Sequence, residues 1–358
     1  MGRTAVVAIT KHGIEIARKL KSKMPEFDLY IPDKFKDGKD DVNWFSDTTS
    51  LMMGNLFKSY DGLVCIFSLG AVIRLISPHM KDKKTDPAVV VIDDKAQFVI
   101  STLSGHLGGA NALARLIASI LNATPVITTA ADVNETIAVD LFGREFGWVI
   151  DDDSTVTKVS AHMVNEEKIG IYQDAGERNW WPNDRPLPQN VQIVNSIDEL
   201  MSDDYKASLI ITDQILDNKY DTLLKKSVVY RPKTLVAGIG LHWDTGKDEI
   251  MNGIQTTLKN ANLSFKSIRN IATINREAIV KGLQEFSNEY NIPVQYFDKE
   301  QLSKIHVPNP SDTVKRFEGT ASVSEASAML SANSNTLLMQ KQKFPPNLTV
   351  AVAKVKMN

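Results

Sequence analysis

Residues able to move protons or hold anions gather in four short clusters between residues 61 and 132. The densest is Ser104-Gly105-His106-Leu107-Gly108-Gly109-Ala110-Asn111. An unperturbed imidazole titrates near ~6.5, so His106 suits proton transfer at neutral pH. The loop opens onto a strongly periodic helical segment, whose free N–H groups and positive end favour an anion. Gly105, Gly108 and Gly109 would let a ligand approach the backbone. The same residues could instead serve only as a turn and a helix cap. A long polar loop beside other polar clusters favours function.

The remaining clusters leave similar choices. Arg74, Lys81, Lys83 and Lys84 form a local basic patch before Asp86-Pro87, where proline fixes the turn into an apolar run. They read either as a solvated charge run or as a cationic wall for a carboxylate-rich ligand. Thr128, Thr129 and Asp132 follow another apolar run, with Asp132 a ligand-site carboxylate or a helix N-cap. Near the C-terminus, Ser322 and Glu325 fit the S-x-x-E capping box. The small residues around them could instead let a flat macrocycle or another domain lie close.

Several familiar chemistries are excluded. Trp243 stands where Gly238-Ile239-Gly240 would need its third glycine for dinucleotide binding. No Walker A sequence occurs, and Thr102 occupies the first glycine position of a nucleophile elbow around Ser104. The six histidines are scattered, which argues against a protein-held metal.

The elements that must position these groups alternate in type. Strands are expected at 5–9, 29–31, 63–67, 88–92 and 126–127, with helices at 14–20, 48–57, 71–76 and 109–121. In the last helix Leu113, Leu116, Ile117, Ile120 and Leu121 form a core-facing stripe. This predicts an N-terminal α/β domain, residues 1–146, with a doubly wound parallel sheet whose polar strand ends carry the site. A small middle α/β domain, 147–231, holds strands near 168–172, 191–194 and 209–212. Its proline-rich loop 179–188 carries Trp180 and Trp181, read as anchors more than as a stacking platform. A C-terminal α/β domain, 232–358, has strands at 235–239, 265–272, 294–297, 336–339 and 349–353. Its helices fall at 245–258, begun by Thr245 with Asp248 three residues on, 276–290 and 323–332.

Composition describes an ordinary soluble globular protein. The 358 residues are 43% hydrophobic and 23% charged, and 41 basic against 43 acidic residues leave a net charge of −2. No clustered basic excess suggests nucleic acid, and no apolar run approaches the ~20 residues of a membrane span. The N-terminus lacks the pattern of a signal peptide, and the single Cys65 sits in an apolar run as a buried thiol. A cytoplasmic setting is expected.

Residues 62–132 resemble the CbiG family of cobalamin biosynthesis. The resemblance lies in Ile66-Phe67, Gly70, Arg74, Ser77-Pro78, Lys83, residues 85–93 from Thr85-Asp86-Pro87 onward, residues 104–111 and Thr128-Thr129-Ala130-Ala131-Asp132. Residues 235–354 are similar to the family's C-terminal domain through Gly238-Ile239-Gly240, Pro308-Asn309-Pro310-Ser311, Ser322-Val323-Ser324-Glu325-Ala326 and Thr349-Val350-Ala351. Leu241-His242 replaces the cysteine and basic residue that often follow Gly-Ile-Gly in the family, so that cysteine plays no part here. The middle segment adds little to the resemblance.

The resemblance implies a cobalt-precorrin-5A hydrolase, opening the δ-lactone of a ring-contracted cobalt tetrapyrrole and releasing acetaldehyde. It implies no cofactor of the protein's own, since the substrate carries the cobalt, and no nucleic-acid or membrane partner. A homodimer and transient contacts with other pathway enzymes stay open. His106 is then expected as base, with Asp86 or Asp132 orienting it or acting in its place. Lys83 and amides near Ser104 would hold the oxyanion. Arg74, Ser104, Gly105, Gly108, Gly109, Asn111, Thr128, Thr129 and Glu325 are expected to line the substrate. His106 as an axial cobalt ligand remains a choice, as do two other functions: a non-catalytic corrinoid carrier, and an enzyme on a phosphorylated small molecule that uses the Ser104–Asn111 loop as its cradle.

Overall fold

The computed structural model describes residues 2–38, 41–182, 185–276 and 280–356, in two compact units, residues 1–141 and 142–358. In the first, strands β1 (Thr4–Ala8), β2 (Asp28–Pro32), β3 (Val42–Phe45), β4 (Gly62–Ile66), β5 (Ala88–Ile92), β6 (Phe98–Leu103) and β7 (Thr124–Val126) form one sheet. Their order is β3-β2-β1-β4-β5-β6-β7. Strands β1, β4 and β5 are buried at every position, as their unbroken apolar runs require of a sheet covered on both faces.

Helices α1 (Lys11–Lys23), α2 (Thr49–Ser59), α3 (Leu69–Ile76), α4 (Ala110–Leu121) and α5 (Ala130–Val133) complete the unit. Ile14, Ala17 and Leu20 of α1 share one core with Leu113, Ala114 and Ile117 of α4. Met52, Met53, Leu56 and Phe57 of α2 join Val72 and Ile76 of α3 on the other face. The expected doubly wound α/β arrangement is therefore present, with one change. β6 runs antiparallel to β5, pairing Ile92 with Val99 and Val89 with Leu103. The reversal is a hairpin held by Asp93, whose carboxylate accepts the N–H groups of Lys95 (3.0 Å) and Phe98 (2.6 Å). The carboxyl ends of β6 and the parallel β7 thus lie beside the amino ends of β1, β4 and β5, opposite the edge where a fully parallel sheet would hold its ligand. Cys65 is buried in β4, and burial pushes its thiol up to about 12.

The second unit holds two sheets. Strands β8 (Val149–Ile150), β9 (Ile169–Gln173), β10 (Val191–Val194), β11 (Ala207–Ile211) and β12 (Ser227–Arg231) are ordered β10-β9-β11-β12-β8, with helices α6 (Val156–Val164) and α7 (Asp221–Leu224). Trp180 is an anchor: its indole N–H donates to Gln173 Oε1 at 2.8 Å, and its ring stands edge-on to Phe142. Asn183 and Asp184 of the same loop lie outside the described residues.

The other sheet has β13 (Leu235–Leu241), β14 (Ile268–Ile274), β15 (Val294–Phe297), β16 (Met339–Phe344) and β17 (Leu348–Lys354), ordered β15-β14-β13-β17-β16. Helices α8 (Lys247–Asn260), α9 (Lys281–Tyr290), α10 (Lys299–Ser303), α11 (Asp312–Glu318) and α12 (Val323–Ala332) accompany it. Lys354 pairs with buried Asp213 at 2.7 Å, joining the two sheets.

Four expectations shift in this sheet. Thr245 does not begin α8, because its hydroxyl closes the turn at His242. Residues 265–267 form a 3-10 turn before β14. The strand expected at 336–339 begins only at Met339. The helix expected from residue 276 is described from Lys281, and residues 277–279 lie outside the described residues. The small residues of α12 serve close packing, since a Cβ on Gly238 would stand 2.0 Å from Ser324 O. No helix among the described residues is long and apolar enough to cross a membrane.

Candidate active site

At the carboxyl end of β6 the chain enters the 104–109 loop with Ser104 in the left-handed region (φ 55°), sparsely used by side-chain-bearing residues. The Ser104 hydroxyl donates to the carbonyl of Asp86 at 2.9 Å, which ties the loop to the segment before β5. A Cβ on Gly108 would stand 2.4 Å from Ser104 Cβ, so only glycine lets the loop fold back this tightly. The loop ends at Gly109, the N-cap of α4.

This fold aims His106 at two carboxylates. Its Nε2 lies 2.9 Å from Asp132 Oδ2, and its Nδ1 lies 3.1 Å from Asp140 Oδ1. Asp132, on α5, also accepts Asn111 Nδ2 at 2.8 Å and Arg115 NH2 at 2.6 Å. Asn111 is buried on the first turn of α4, donates to Thr129 Oγ1 at 2.9 Å and accepts the Ser101 hydroxyl at 2.6 Å. Asn111 and Arg115 reach one carboxylate because residues four apart share a helix face. Asp140 is held by its neighbours: Ile137 and Val139 are buried and anchor the segment that presents it.

The electrostatics follow from this clamp. The hydrogen bond that Asp140 accepts raises the His106 pKa above its usual value, burial opposes the rise, and Asp132 adds to it. For Asp132 burial is the largest single influence and acts upward. The Arg115 and His106 hydrogen bonds and charges together outweigh it and hold the carboxylate below its usual range. The raised value favours the protonated His106 ring, which has a carboxylate within hydrogen-bond distance of each nitrogen. Its contribution to stability is fully present below the unfolded histidine value, near ~6.5, and is lost as pH rises through the raised folded value. That of Asp132 is present above the unfolded aspartate value and is lost as pH falls through the depressed one.

Several expected roles change. His106 does not stand free in a cleft, because each ring nitrogen faces a carboxylate. Of the two carboxylates expected beside it, Asp132 is there and Asp86 is not, and the second partner is Asp140, which sequence reasoning missed. The buried Asp86 turns both carboxylate oxygens to the N–H of Lys81, at 3.1 and 3.0 Å. Lys83 is exposed on the same loop and makes none of these bonds, and Arg74 is exposed with its guanidinium on Gly70 O.

Asp132 is no N-cap, since Thr129 holds that position in α5. Thr129 joins the cluster, while Thr128 is exposed beside it. The expected anion cradle is largely spent inside the loop: the amides of Gly109, Ala110 and Asn111 donate to the carbonyls of His106, Ser104 and Gly105 at 3.0, 3.1 and 3.0 Å. A phosphate would also meet Asp132 and Asp140 there, which disfavours the phosphorylated-substrate alternative. Glu325, in the second unit, is fully buried and accepts from Asn309 N, Asn309 Nδ2 and Lys341 N. It forms half of the expected capping box: Ser322 accepts the Glu325 N–H, but the carboxylate turns away.

The chain matches known sequences along nearly its whole length. Residues 52–132 match the family described as cobalamin synthesis G N-terminal, 137–232 the cobalamin biosynthesis central region, and 235–353 the cobalamin synthesis G C-terminus. The middle segment, which added little to the resemblance, thus has a family match of its own. The chain is 44% identical to a cobalt-precorrin-5A hydrolase of Priestia megaterium, across 98% of this chain and 95% of that one. It is 29% identical to a cobalt-precorrin-5A hydrolase of Salmonella typhimurium, across 98% and 97%. A crystal structure of a cobalamin biosynthesis protein G homologue from Sulfolobus solfataricus aligns over 99% of this chain and 97% of its own, with 24% identity and a TM-score of 0.38.

Proposed function

The chain belongs to the CbiG family, and from that premise we propose that it is a cobalt-precorrin-5A hydrolase in which the His106 clamp moves the protons. The observation that carries the mechanism is the imidazole of His106 with a carboxylate at each nitrogen. In this reading the substrate presents a δ-lactone that links its ring-A acetate to the extruded carbon. Lactone hydrolysis needs an activated water, a stabilised oxyanion and a proton for the departing oxygen.

Water enters beside Asp132 and attacks the lactone carbonyl, and the Asp132 carboxylate takes its proton as the new C–O bond forms. The imidazolium faces the developing oxyanion. When the ring C–O bond breaks, Nε2 of His106 protonates the departing oxygen, and Asp140 holds the now neutral ring through Nδ1. The freed hydroxyl on the two-carbon fragment then returns its proton to His106. Its O–H electron pair becomes the acetaldehyde carbonyl, and the pair of the broken carbon–carbon bond remains on the conjugated ring. One histidine gives a proton in the first step and recovers it in the second, and Asp132 passes the proton it took from water to solvent, which resets the site. Within this reading the cobalt belongs to the substrate, the enzyme brings no cofactor, and it works in the cytoplasm.

The test is acetaldehyde release from the lactone substrate in a single turnover, followed across pH. The reactive form has His106 protonated and Asp132 ionised. The rate is expected to fall as pH rises through the raised His106 pKa, on the alkaline side of a free imidazole. A rate that climbs through that range would mean His106 acts first as base. Absence of acetaldehyde with the wild-type protein would leave only a carrier of corrinoids.

A further inference from the structure

A cleft opens in the second unit at the carboxyl ends of β13 and β14, where open α/β sheets place ligand crevices. Its cavity is about 270 Å³ and adjoins a smaller one of about 150 Å³ that shares Leu241 and Arg276. The main cavity is lined by three full cations, Arg276, Lys341 and Lys343, against one carboxylate, Glu318. Arg276 pairs with Glu318 at 2.6 Å and its guanidinium stands 5.1 Å from the centre of the Trp243 ring. Trp243 lines neither cavity but borders them through Arg276, and its indole is 57% exposed, so apolar ring surface lies open beside the cationic wall.

The walls are fixed before any ligand arrives. The buried Thr245 hydroxyl accepts the His242 N–H at 3.0 Å and lies 3.2 Å from Asn347 O, closing the turns that border the cavity. Glu325 spends its charge on Asn309 and on the N–H of Lys341, and the Lys341 ammonium donates to Asn309 O at 2.5 Å. Burial draws that ammonium below its usual range, Glu325 opposing and Lys343 adding, so an arriving anion relieves it.

We propose that this cleft is a second binding site, taking the edge of a planar ring that carries carboxylates. Trp243 stacks on the ring while Arg276, Lys341 and Lys343 receive the acid arms. Identifying the ring with the tetrapyrrole of the hydrolase reaction rests on the function proposed above; the site itself does not.

Uroporphyrin I, a planar octacarboxylate, is the probe, titrated into the full chain by absorbance with citrate as a ringless polycarboxylate. Trp243→Ala and the double variant Lys341→Gln/Lys343→Gln are each expected to weaken uroporphyrin binding about tenfold or more, the loss of one stacked or charge-assisted contact. Trp243→Ala should keep the wild-type unfolding midpoint, since Trp243 is exposed, and an unfolding curve for the lysine variant separates lost binding from the lost Lys341–Asn309 contact. His106→Gln should bind as wild type, and citrate should bind far more weakly than the ring. Failure of the wild type to bind uroporphyrin overturns the site, as does binding indifferent to the cleft variants or lost only with His106→Gln. Acetaldehyde release separates the two readings. Release with cleft-independent binding removes the site and keeps the hydrolase; cleft-dependent binding without release does the reverse.

Discussion

Replacing His106 by glutamine is expected to slow acetaldehyde release by about 10²–10⁴-fold, the range lost when a positioned proton donor is removed. Glutamine is the informative choice because its amide still reaches hydrogen-bond partners while it transfers no proton. Alanine would also leave Asp132 and Asp140 facing each other without the cation between them. That raises carboxylate pKa values and costs stability, so a loss with alanine alone would be ambiguous. Single-turnover acetaldehyde trapping, beside an unfolding curve for each variant, separates the two effects. Lys83→Met is expected to behave as wild type, since that ammonium is exposed and outside the cluster. A His106→Gln protein that releases acetaldehyde at the wild-type rate would remove the proton relay.

The second large effect concerns Asp140. Asp140→Asn keeps the shape but removes the charge that does most to raise the His106 pKa, and an amide oxygen or nitrogen then decides which ring nitrogen is protonated. In the comparable serine-protease arrangement, loss of the orienting carboxylate costs about 10⁴-fold. Here a fall of about 10²–10⁴-fold is expected. Asp140 positions His106 and does not itself touch the reacting atoms, so a second readout matters. The alkaline limb of the pH–rate profile should move to lower pH, because the remaining Asp132 raises the histidine less than both carboxylates do. An unchanged limb with reduced rate would indicate a packing defect instead.

What could be read from the chain, and what could not, follows from burial and direction. β1, β4, β5 and α4 are legible because they are buried along unbroken runs or one continuous stripe. β3 and β6 escape because only Val42 and Val99 in them are fully buried, leaving mixed residues with little pattern. β12 escapes for another reason: its Ser and Arg ends look exposed, yet Arg231 is buried on Asp151 and backbone carbonyls.

The site is legible at His106, Asn111, Thr129 and Asp132, polar residues at the ends of β6 and β7. Arg115 was within reach, one helical turn after Asn111. Asp140 followed the buried Ile137 and Val139 but lay beyond the last recognisable cluster. Asp86 and Lys83 misled because neighbours in sequence need not point the same way, and the antiparallel β6 brings only the backbone of Asp86 to the loop.

The central claim is that His106 is held protonated by carboxylates at both nitrogens, and its ring reports this directly. Nitrogen-15 NMR of the histidine side chains, titrated from pH 5 to 9 in the wild type and in Asp140→Asn, measures the protonation of each nitrogen. His106 should titrate with a midpoint above that of a free imidazole, and that midpoint should drop in the variant. A midpoint at or below that of a free imidazole, or one that ignores the loss of Asp140, would contradict the account.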